Sequence, residues 1–467
     1  MAMSESNPSS GYDIVIAGAG ITGLVTGYLC NRAGYAVKIL ETGSEPGGAM
    51  KSVRDGDWLA ECGPGSILES SHYIPELIEE LDPEGERIFA NPEAGRRYLV
   101  KNGRPVEVPS GLAGLIATPL LSLRSKLAVP GELFRGKGYK EDEALADFVR
   151  RRLGPEFLDQ FINALVGGIY AGDPEQLSVR YGFPRLQALE DQRGSLLWGQ
   201  LRGVEKDPKR REIPRNRARV FSFRDGVQVL AHRLAGQLTE SISYQHRITG
   251  IDQAGGGFEV TADAGGSEAV FTAPKVISAV PAYALANIPL NGDTASWQPL
   301  PAITYAPVSV INLGYRKEDV AHPCDGFGVL VPERESYRIL GVQFNSAVFP
   351  HRAPEGHLML TVFLGGMRYP ELTESDEQKQ IAIAKEDLSG LLGVGGDPQF
   401  VQFTRWNRAI PQYEVGYRKY AEAIEQLEQN HPGLHVAGNY RGGISLGDCI
   451  TNAHLLYQKI TSGQATR

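Results

Sequence analysis

Short apolar runs alternate with helix-like segments along the chain, a pattern that predicts an α/β fold. Residues 12–17 (YDIVIA) are rich in β-branched side chains and predict a buried strand close to the N-terminus. Residues 24–33 predict a helix that ends at Gly34, and residues 36–40 (AVKIL) predict a second strand. A strand, a helix and another strand in this order favour a parallel sheet, because parallel neighbours need a crossover connection.

The turn between the first predicted strand and the helix has the glycine pattern of a dinucleotide-binding site. Its candidate cofactor contacts are Gly18, Ala19, Gly20, Ile21, Thr22 and Gly23. We expect Gly18 to make the tight turn, Gly20 to let the backbone touch a pyrophosphate, and Gly23 to let helix and strand pack closely. The helix N-terminus then offers N–H groups to the phosphates. Glu41 follows Gly23 by 18 residues, at the end of the second strand, where its carboxylate can accept hydrogen bonds from ribose hydroxyls.

Two further glycine loops favour FAD over NAD as the dinucleotide. Glu41 and Thr42 are followed by the pair Gly47 and Gly48, and this spacing resembles the second motif of the FAD-dependent amine oxidase superfamily. The glycine pair would let the loop press against the phosphates of an extended FAD. The next turn could line the isoalloxazine ring, and its candidate contacts are Gly63, Pro64, Gly65 and Ser66.

The far end of the chain supplies a second set of candidate FAD contacts. Residues 434–437 (LHVA) predict a strand, from which a glycine-rich loop leads into a helix that starts at about Cys449. The candidate contacts in this loop are Gly438, Ile444 and Leu446. A helix N-terminus here would stabilise negative charge on the flavin as it is reduced. Residues near 20 and near 447 are therefore expected to converge on one cofactor.

The distribution of predicted strands and helices indicates that the FAD-binding domain is discontinuous in sequence. The expected parts are a Rossmann-like FAD-binding domain (1–90, 221–300 and 411–467), a mixed-sheet substrate domain (91–100 and 301–410) and a mainly helical region (101–220). Ile248 follows Tyr244 in a predicted strand of the FAD-binding domain and could contact the adenine.

Composition and charge narrow the functional classes. The net charge is −8 and the isoelectric point is about 5.7, which argues against nucleic-acid binding, because that function needs a basic surface. The four cysteines are widely spaced, so we expect neither a disulfide framework nor a metal site, and a reducing, cytoplasmic setting fits. Residues 1–10 lack the features of a signal peptide, and no apolar stretch reaches the roughly 18 residues of a membrane span.

Two segments of the region 101–220 leave alternatives open. Residues 111–134 are unusually apolar but are interrupted by proline and arginine, so they either cover the core or dip into a membrane surface. Residues 209–219 (KRREIPRNRAR) are strongly basic and form either a solvated loop or a contact with an anionic substrate or lipid. Neither pattern decides between its two interpretations by itself.

Four segments together resemble the protoporphyrinogen oxidase family. They are residues 168–178 (GIYAGDPEQLS), 326–332 (GFGVLVP), 349–354 (FPHRAP) and 410–413 (IPQY), and the resemblance runs from Tyr12 to about Ala453. The first segment is much more specific than the glycine fingerprint, which many flavoenzymes share. The resemblance implies non-covalent FAD, O2 as electron acceptor, and a membrane-associating part in the region 101–220. It also implies peripheral contact with the cytoplasmic face of a membrane and allows a homodimer.

The resemblance also implies a reaction and a set of substrate contacts. The chain would oxidise protoporphyrinogen IX to protoporphyrin IX by hydride transfer to FAD, with release of H2O2. Arg97 would pair with a propionate of the tetrapyrrole, and Arg96 is the alternative. The other implied substrate contacts are Gly168, Gly328, Leu330 and Phe349, and Trp406 would lie near the flavin. FAD carries the difficult chemistry, so no catalytic side chain is predicted.

Three other functions fit parts of the sequence. The first is oxidation of coproporphyrinogen III to coproporphyrin III, whose substrate carries propionates in place of two vinyl groups. The second is an FAD amine oxidase, although residues 303–315, where we expect the lysine that many amine oxidases place near the flavin, contain none. The third is a flavin-binding protein without catalytic activity. Residues 326–332 favour the protoporphyrinogen branch.

Overall fold

The computed structural model describes residues 11–82, 84–109, 114, 117–128, 130–138, 141–205, 207–214 and 216–462. In this part of the chain the helices are α1 (Ile21–Arg32), α2 (Tyr73–Leu81), α3 (Leu123–Ala128), α4 (Leu145–Arg152), α5 (Pro155–Phe157), α6 (Asn163–Tyr170), α7 (Val179–Gly182), α8 (Pro184–Arg193), α9 (Leu196–Arg202), α10 (Gln228–Gly236), α11 (Asn345–Val348), α12 (Glu377–Leu392), α13 (Arg418–Asn430) and α14 (Leu446–Ser462). A π-helical turn, Leu158–Ile162, joins α5 to α6.

The same residues contain the strands of several separate sheets. The strands are β1 (Ile14–Ala17), β2 (Val37–Leu40), β3 (Ser52–Asp55), β4 (Trp58–Glu61), β5 (Ile67–Leu68), β6 (Arg87–Phe89), β7 (Arg97–Lys101), β8 (Arg104–Glu107), β9 (Val220–Phe223), β10 (Ile242–Ser243), β11 (Arg247–Ala254), β12 (Gly257–Asp263), β13 (Glu268–Ala273), β14 (Lys275–Ser278), β15 (Tyr305–Arg316), β16 (Gly328–Leu330), β17 (Ile339–Phe344), β18 (His357–Gly365), β19 (Phe400–Pro411) and β20 (Leu434–Val436).

A parallel sheet carries the predicted nucleotide-binding turn. Its strands run in the order β10-β2-β1-β14-β20, and every neighbouring pair is parallel. Successive side chains of β1 enter two different cores: Ile16 packs in one with Leu24, and Val15 packs in the other with Val276. Both faces of the sheet are therefore covered, as parallel sheets require. This arrangement confirms the predicted α/β fold.

Three of the loops that carry candidate FAD contacts start at one edge of this sheet. Parallel strands have their carboxyl ends at the same edge, so the segments after β1, β2 and β20 begin side by side. The helix predicted from about Cys449 starts earlier, at Leu446. The Ser445 hydroxyl accepts a hydrogen bond from the Asp448 N–H at 3.1 Å, which satisfies a free donor of the first turn and sets that start.

A second, mixed sheet of seven strands runs in the order β19-β15-β18-β17-β16-β7-β8. Only β7 and β16 pair in parallel; the other neighbours are antiparallel. The strand β8 lies in this sheet, although its residues belong to the region expected to be mainly helical. Ile311, Val342 and Leu388 of α12 lie in the core on one face of the sheet. The opposite face carries two smaller apolar clusters, one with Val310 and Leu340 and one with Leu99 and Ala164.

The helices α3 to α9 lie between β8 and β9 and enclose a buried ion pair. Arg152 Nη1 lies 3.2 Å from Glu132 Oε1, and neither side chain is exposed. Several large apolar side chains of this region are exposed instead: Leu123, Leu127, Phe134, Trp198 and Leu201. The apolar segment 111–134 lies partly outside the described residues. None of the described helices is both long and apolar enough to cross a membrane.

The basic segment 209–219 makes ion pairs within the protein. Arg211 pairs with Glu76 of α2, and Arg219 Nε lies 2.9 Å from the buried carboxylate of Glu69. Arg210 donates a hydrogen bond to Asn452 of α14 at 3.0 Å. From the sequence we considered only solvent and external anions as partners of this segment, because the sequence does not show which distant acidic residues pack beside it.

Candidate functional site

The turn between β1 and α1 has the shape that a bound pyrophosphate needs. A Cβ on Gly23 would lie 2.0 Å from the Gly18 carbonyl oxygen, so only glycine allows this packing. Gly18 has a φ of +95°, which strongly favours glycine. A Cβ on Gly20 would meet no atom within 4 Å, so this glycine faces open space. No side chain caps α1 and no acidic residue occupies its first turn, which suits the binding of a phosphate.

The Glu41 carboxylate lies at the edge of this turn. Its Oε2 accepts a hydrogen bond from the Ala19 N–H at 2.7 Å, and its Oε1 accepts one from the Gly43 N–H at 2.7 Å. Each oxygen retains a lone pair that can accept from a ribose hydroxyl. The His246 N–H donates to the Glu41 carbonyl at 2.8 Å and brings the following strand, with buried Ile248, close to this end of the site. Thr42 is exposed beside Glu41.

The loop with Gly47 and Gly48 lies directly on the nucleotide turn. The Gly47 N–H donates to the Ala19 carbonyl at 2.8 Å, and a Cβ on Gly48 would lie 3.5 Å from the Gly20 Cα. Both glycines have positive φ values, +110° and +61°, that other residues rarely adopt. The two glycine loops therefore form one cradle lined by backbone, which fits an anionic diphosphate.

The C-terminal loop reaches the same place. Helix α14 packs against α1, and their first residues, Leu446 and Ile21, belong to the same buried apolar cluster. Tyr413 holds the preceding loop at two points, because its hydroxyl donates to the Asn439 carbonyl at 2.9 Å and accepts from the Gly443 N–H at 3.0 Å. The structure thus brings the N-termini of α1 and α14 together. The candidate contacts that come with this loop are Gly438, Ile444 and Leu446.

The loop that follows β4 is attached to the seven-stranded sheet. Trp406 Nε1 donates to the Cys62 carbonyl at 2.7 Å, and Asn312 Nδ2 donates to the Glu61 carbonyl at 2.9 Å. A Cβ on Gly63 would lie 2.5 Å from the carbonyl oxygen of Ala49, which follows Gly48, so the loop also packs tightly against the second glycine loop. We call residues 61–66 the flavin loop; its candidate contacts are Gly63, Pro64, Gly65 and Ser66.

The strand register places three of the candidate substrate residues, Arg97, Gly328 and Leu330, on one face of the seven-stranded sheet. An apolar row crosses this face, and its aligned positions include Leu99, Leu330, Phe363 and Val310. A second row holds polar side chains and glycine at the positions Arg97, Gly328, Gln343, Thr361, Asn312 and Gln402. We call this the substrate face. It lies beside the flavin loop because Asn312 and Trp406 reach from it to that loop.

The structure separates the two adjacent arginines that the sequence left as alternatives. Arg96 Nη1 pairs with Asp325 at 2.6 Å, and Tyr98 donates to the same carboxylate at 2.8 Å. Arg97 is exposed, and no acidic residue in the described ranges forms an ion pair with it. Its guanidinium lies 5.5 Å from the ring centroid of Phe327. Arg97 is therefore the cation that remains able to bind an external carboxylate.

Gly168 of α6 packs directly against the Leu330 side chain of the substrate face. A Cβ on Gly168 would lie 2.4 Å from Leu330 Cδ2, and Gly168 itself is exposed. Gly328 is required by the sheet, since its Cβ would lie 2.3 Å from the Val342 carbonyl oxygen. Phe349 is fully buried in a separate cluster with Ala94 and Val348. A substrate contact at Phe349 stays a prediction.

Sequence reasoning missed several residues of the site. Phe327 orients Arg97, Asn312 holds the flavin loop, and Phe363 belongs to the apolar row. A period-two pattern in β15 and β18 indicates which side chains share a face, but not which face meets a ligand.

Cys62 lies in the flavin loop. Burial raises the pKa of its thiol, so the thiol is neutral.

Comparisons with known proteins agree with this geometry. Residues 21–453 match the description "Flavin containing amine oxidoreductase". The chain belongs to this family. It is an FAD-dependent oxidoreductase, and the cradle of Gly18–Gly23, Glu41 and Gly47–Gly48 has the open space and hydrogen-bonding groups that FAD requires.

Three relatives illustrate the similarity. The chain is 31% identical to protoporphyrinogen oxidase 2, chloroplastic/mitochondrial, of Arabidopsis thaliana, over 95% of this chain and 92% of that protein. It is 26% identical to coproporphyrinogen III oxidase of Bacillus subtilis, over 94% of this chain and 95% of that protein. A crystal structure from Exiguobacterium, of a provisionally assigned protoporphyrinogen oxidase, superposes with a TM-score of 0.80 at 24% identity. That superposition covers 98% of this chain and 100% of the other, and it shows a shared fold.

Proposed function

We propose that this chain oxidises protoporphyrinogen IX to protoporphyrin IX, with bound FAD as the oxidant and O2 as the final acceptor that is released as H2O2. The observation that carries the proposal is Arg97, which lacks an acidic partner among the described residues and stands at the end of the polar row, beside the apolar row of the substrate face. The same face is attached to the flavin loop through Asn312 and Trp406. A carboxylated, otherwise apolar macrocycle fits this combination.

The side chains of the site bind and orient the substrate rather than exchange protons with it. Bound FAD supplies a hydride acceptor at N5. A porphyrinogen meso carbon lies between electron-rich pyrroles, so hydride loss leaves a delocalised cation whose pyrrole N–H is readily deprotonated. Three such oxidations remove six electrons and six protons in all. Arg97 would hold a propionate, while Leu330 and Phe363 would exclude water from the macrocycle and keep a meso carbon near the flavin.

The composition of the substrate face favours protoporphyrinogen over coproporphyrinogen. Leu330 and Phe363, which are only partly buried, are the apolar side chains of the substrate face that can contact the ring. Coproporphyrinogen carries two further propionates, and desolvating an unpaired carboxylate against apolar side chains is costly. Oxidation of coproporphyrinogen III therefore remains the second candidate, supported by the similarity to the Bacillus subtilis enzyme.

We further propose that FAD is bound without a covalent link. The loops that start at the carboxyl edge of the parallel sheet would hold it: the nucleotide turn, Glu41 and the segment with Gly438, Ile444 and Leu446. The flavin loop, which follows β4, and Ile248 of β11 would complete the site. The discontinuous FAD-binding domain (1–90, 221–300 and 411–467) and the substrate domain (91–100 and 301–410) remain part of this proposal, with β8 added to the substrate domain.

We propose that the region 101–220 docks onto a membrane surface. Phe134 is 91% exposed, Leu123 and Leu201 are each 74% exposed, and Leu127 is 70% exposed. Burying such side chains in the interface of a bilayer would stabilise peripheral attachment. Sedimentation with vesicles of anionic phospholipid tests this part, and Phe134→Ser combined with Leu201→Ser is expected to reduce the bound fraction.

An anaerobic reduction experiment tests the reaction. The FAD-loaded chain is mixed separately with protoporphyrinogen IX, coproporphyrinogen III and putrescine, and the visible flavin absorbance is followed. We expect rapid bleaching with protoporphyrinogen IX, slower bleaching with coproporphyrinogen III and none with the amine. Bleaching by the amine alone, or by none of the three, would rule out the proposed reaction.

A further inference from the structure

A buried ion pair lies at the start of the flavin loop. Arg352 Nη2 lies 2.8 Å from Glu61 Oε1, and the two side chains are 0% and 2% exposed. The Ser52 hydroxyl donates to Glu61 Oε2 at 2.6 Å, and the Val227 N–H donates to Oε1 at 3.1 Å. Arg352 Nη2 also donates to Ser222 at 2.7 Å. The carboxylate is thus held by strand β3, by the segment before α10 and by a residue of the second domain.

The Glu61 backbone is held from the second domain as well. Its carbonyl accepts from Asn312 Nδ2 at 2.9 Å, and Asn312 Oδ1 accepts from the Thr361 hydroxyl at 2.7 Å. That hydroxyl accepts in turn from Asn345 Nδ2 at 3.2 Å. All of these atoms belong to buried residues, so water does not compete with the bonds.

These contacts close into a ring. The Asn345 carbonyl accepts from the Phe349 N–H at 2.9 Å, and the Phe349 carbonyl accepts from the Arg352 N–H at 3.1 Å. The Arg352 guanidinium also lies 5.4 Å from the centroid of the Phe349 ring. Glu61 is therefore held at both its backbone carbonyl and its side-chain carboxylate by one connected set of residues of the substrate domain, which runs from Asn312 to Arg352 through these hydrogen bonds. Two attachment points prevent the loop from rotating, which a single bond would allow.

Stability alone gives a weak reason for this ion pair. Burial raises the pKa of Glu61 and lowers the pKa of Arg352, so removal from water disfavours both charges. A buried ion pair of this kind is often no more stabilising than apolar side chains of similar volume. What apolar side chains do not supply is direction, because the hydrogen bonds that Ser52 and Val227 donate to the Glu61 carboxylate, and the one that Arg352 donates to Ser222, have a defined geometry.

We propose that the Glu61–Arg352 pair is a positioning device that fixes the flavin loop, and hence a flavin bound against it, relative to the substrate face. Glu61 immediately precedes Cys62, whose carbonyl is bound by Trp406 of the substrate face. The two domains then share one rigid connection at the place where the ring and the substrate would meet. The inference rests on the proposed function for the identity of the substrate, but the attachment of the loop is independent of it.

The test uses a paired apolar replacement in the full, FAD-loaded chain. Glu61→Leu combined with Arg352→Met removes both charges at similar volume, so folding and FAD binding are expected to persist. We expect hydrogen exchange of peptides covering residues 62–66 to become at least about tenfold faster. We expect flavin reduction by protoporphyrinogen IX to slow by about 10- to 100-fold, since small displacements of a reacting group have effects of this size. Arg352→Lys, which keeps the charge, should fall between wild type and the paired variant.

A matched pair in the helical region provides the control. Glu132 and Arg152 are as deeply buried, and Glu132→Leu combined with Arg152→Met should change neither the exchange of residues 62–66 nor flavin reduction. A Glu61–Arg352 variant with wild-type exchange and wild-type reduction would overturn the positioning role. If it does not fold, Arg352→Lys decides by the same two measurements. If no porphyrinogen reduces the flavin of the wild-type protein, the proposed function is refuted. The hydrogen exchange of residues 62–66 would still test whether the ion pair fixes the loop.

Discussion

The Leu330 side chain lies directly over Gly168, so that a Cβ at Gly168 would come within 2.4 Å of Leu330 Cδ2. The contact joins α6, whose last three residues begin the most specific of the family segments, to the substrate face. Since Leu330 Cδ2 is the end of a flexible side chain, an added methyl group would push it toward the open side rather than prevent folding.

Gly168→Ala is therefore expected to impair substrate binding more than stability. We expect KM for protoporphyrinogen IX to rise about tenfold while FAD affinity is unchanged, and the second change Leu330→Ala should restore part of the loss. Steady-state kinetics provide the measurement. Gly236→Ala is the control, because a Cβ there meets no atom within 4 Å. An unchanged KM for Gly168→Ala would show that this contact does not limit the substrate.

Two glycines of the nucleotide turn should respond differently to alanine. The Gly23 Cβ would lie 2.0 Å from a backbone oxygen, whereas the Gly20 Cβ would enter open space. Gly23→Ala should destabilise the FAD-free protein by about 1–3 kcal/mol. Gly20→Ala should leave the FAD-free protein unchanged and weaken FAD binding at least about tenfold, because it fills the space for the pyrophosphate.

Thermal unfolding without FAD and a titration with FAD measure these two effects separately. Equal FAD affinity of Gly20→Ala and wild type would place the cofactor elsewhere.

Arg97 and Arg96 should differ in their effect on substrate binding. A charged hydrogen bond between Arg97 and a propionate is worth about 1.5–3 kcal/mol, so Arg97→Ala should raise KM by about 10- to 100-fold. Arg96→Ala loses an exposed ion pair with Asp325 and should change KM little. Kinetics with the dimethyl ester of the substrate complete the test, because the ester should remove the difference between Arg97→Ala and wild type. A larger effect at Arg96 would contradict the assignment.

Glu428 should make the loop that precedes α14 sensitive to acid. Burial raises its pKa, but hydrogen bonds from Arg441 and Lys459 and from the Val436 N–H outweigh burial and lower the pKa to about 2. Because the folded pKa lies below the unfolded value of about 4.3, the contribution to stability is present above that value and is lost as the pH falls toward 2.

Glu428→Gln should therefore lower the free energy of unfolding by about 1–2 kcal/mol at neutral pH, a figure reduced for partial solvent screening. The gap between wild type and variant should close as the pH falls from about 4.3 toward 2. Denaturant unfolding at several pH values measures it. If the difference in the free energy of unfolding between wild type and variant does not depend on pH, the charge of the Glu428 carboxylate does not contribute to stability.

The strands, turns and helices whose conformation depends mainly on neighbouring residues could be predicted from the sequence. The β-branched runs before Gly18 and before Glu41 are strands, and the turn between them has the predicted glycine geometry. The C-terminal strand and helix were also predicted, with an error of three residues at the start of α14. These features follow from backbone conformations and side-chain periods that neighbouring residues impose on one another.

The sequence by itself determined the first strand-turn-helix-strand unit, the positions of the glycine loops and the family resemblance, since each depends on motifs of residues close together in the chain. Only the tertiary structure showed that Arg96 is paired and that, among the described residues, Arg97 is not, because Asp325 reaches Arg96 from a distant segment. Tertiary structure alone also joined Glu61 to Arg352 and Asn312. Such contacts arise when separate strands and loops pack against each other, and no spacing along the chain records which side chains will then meet.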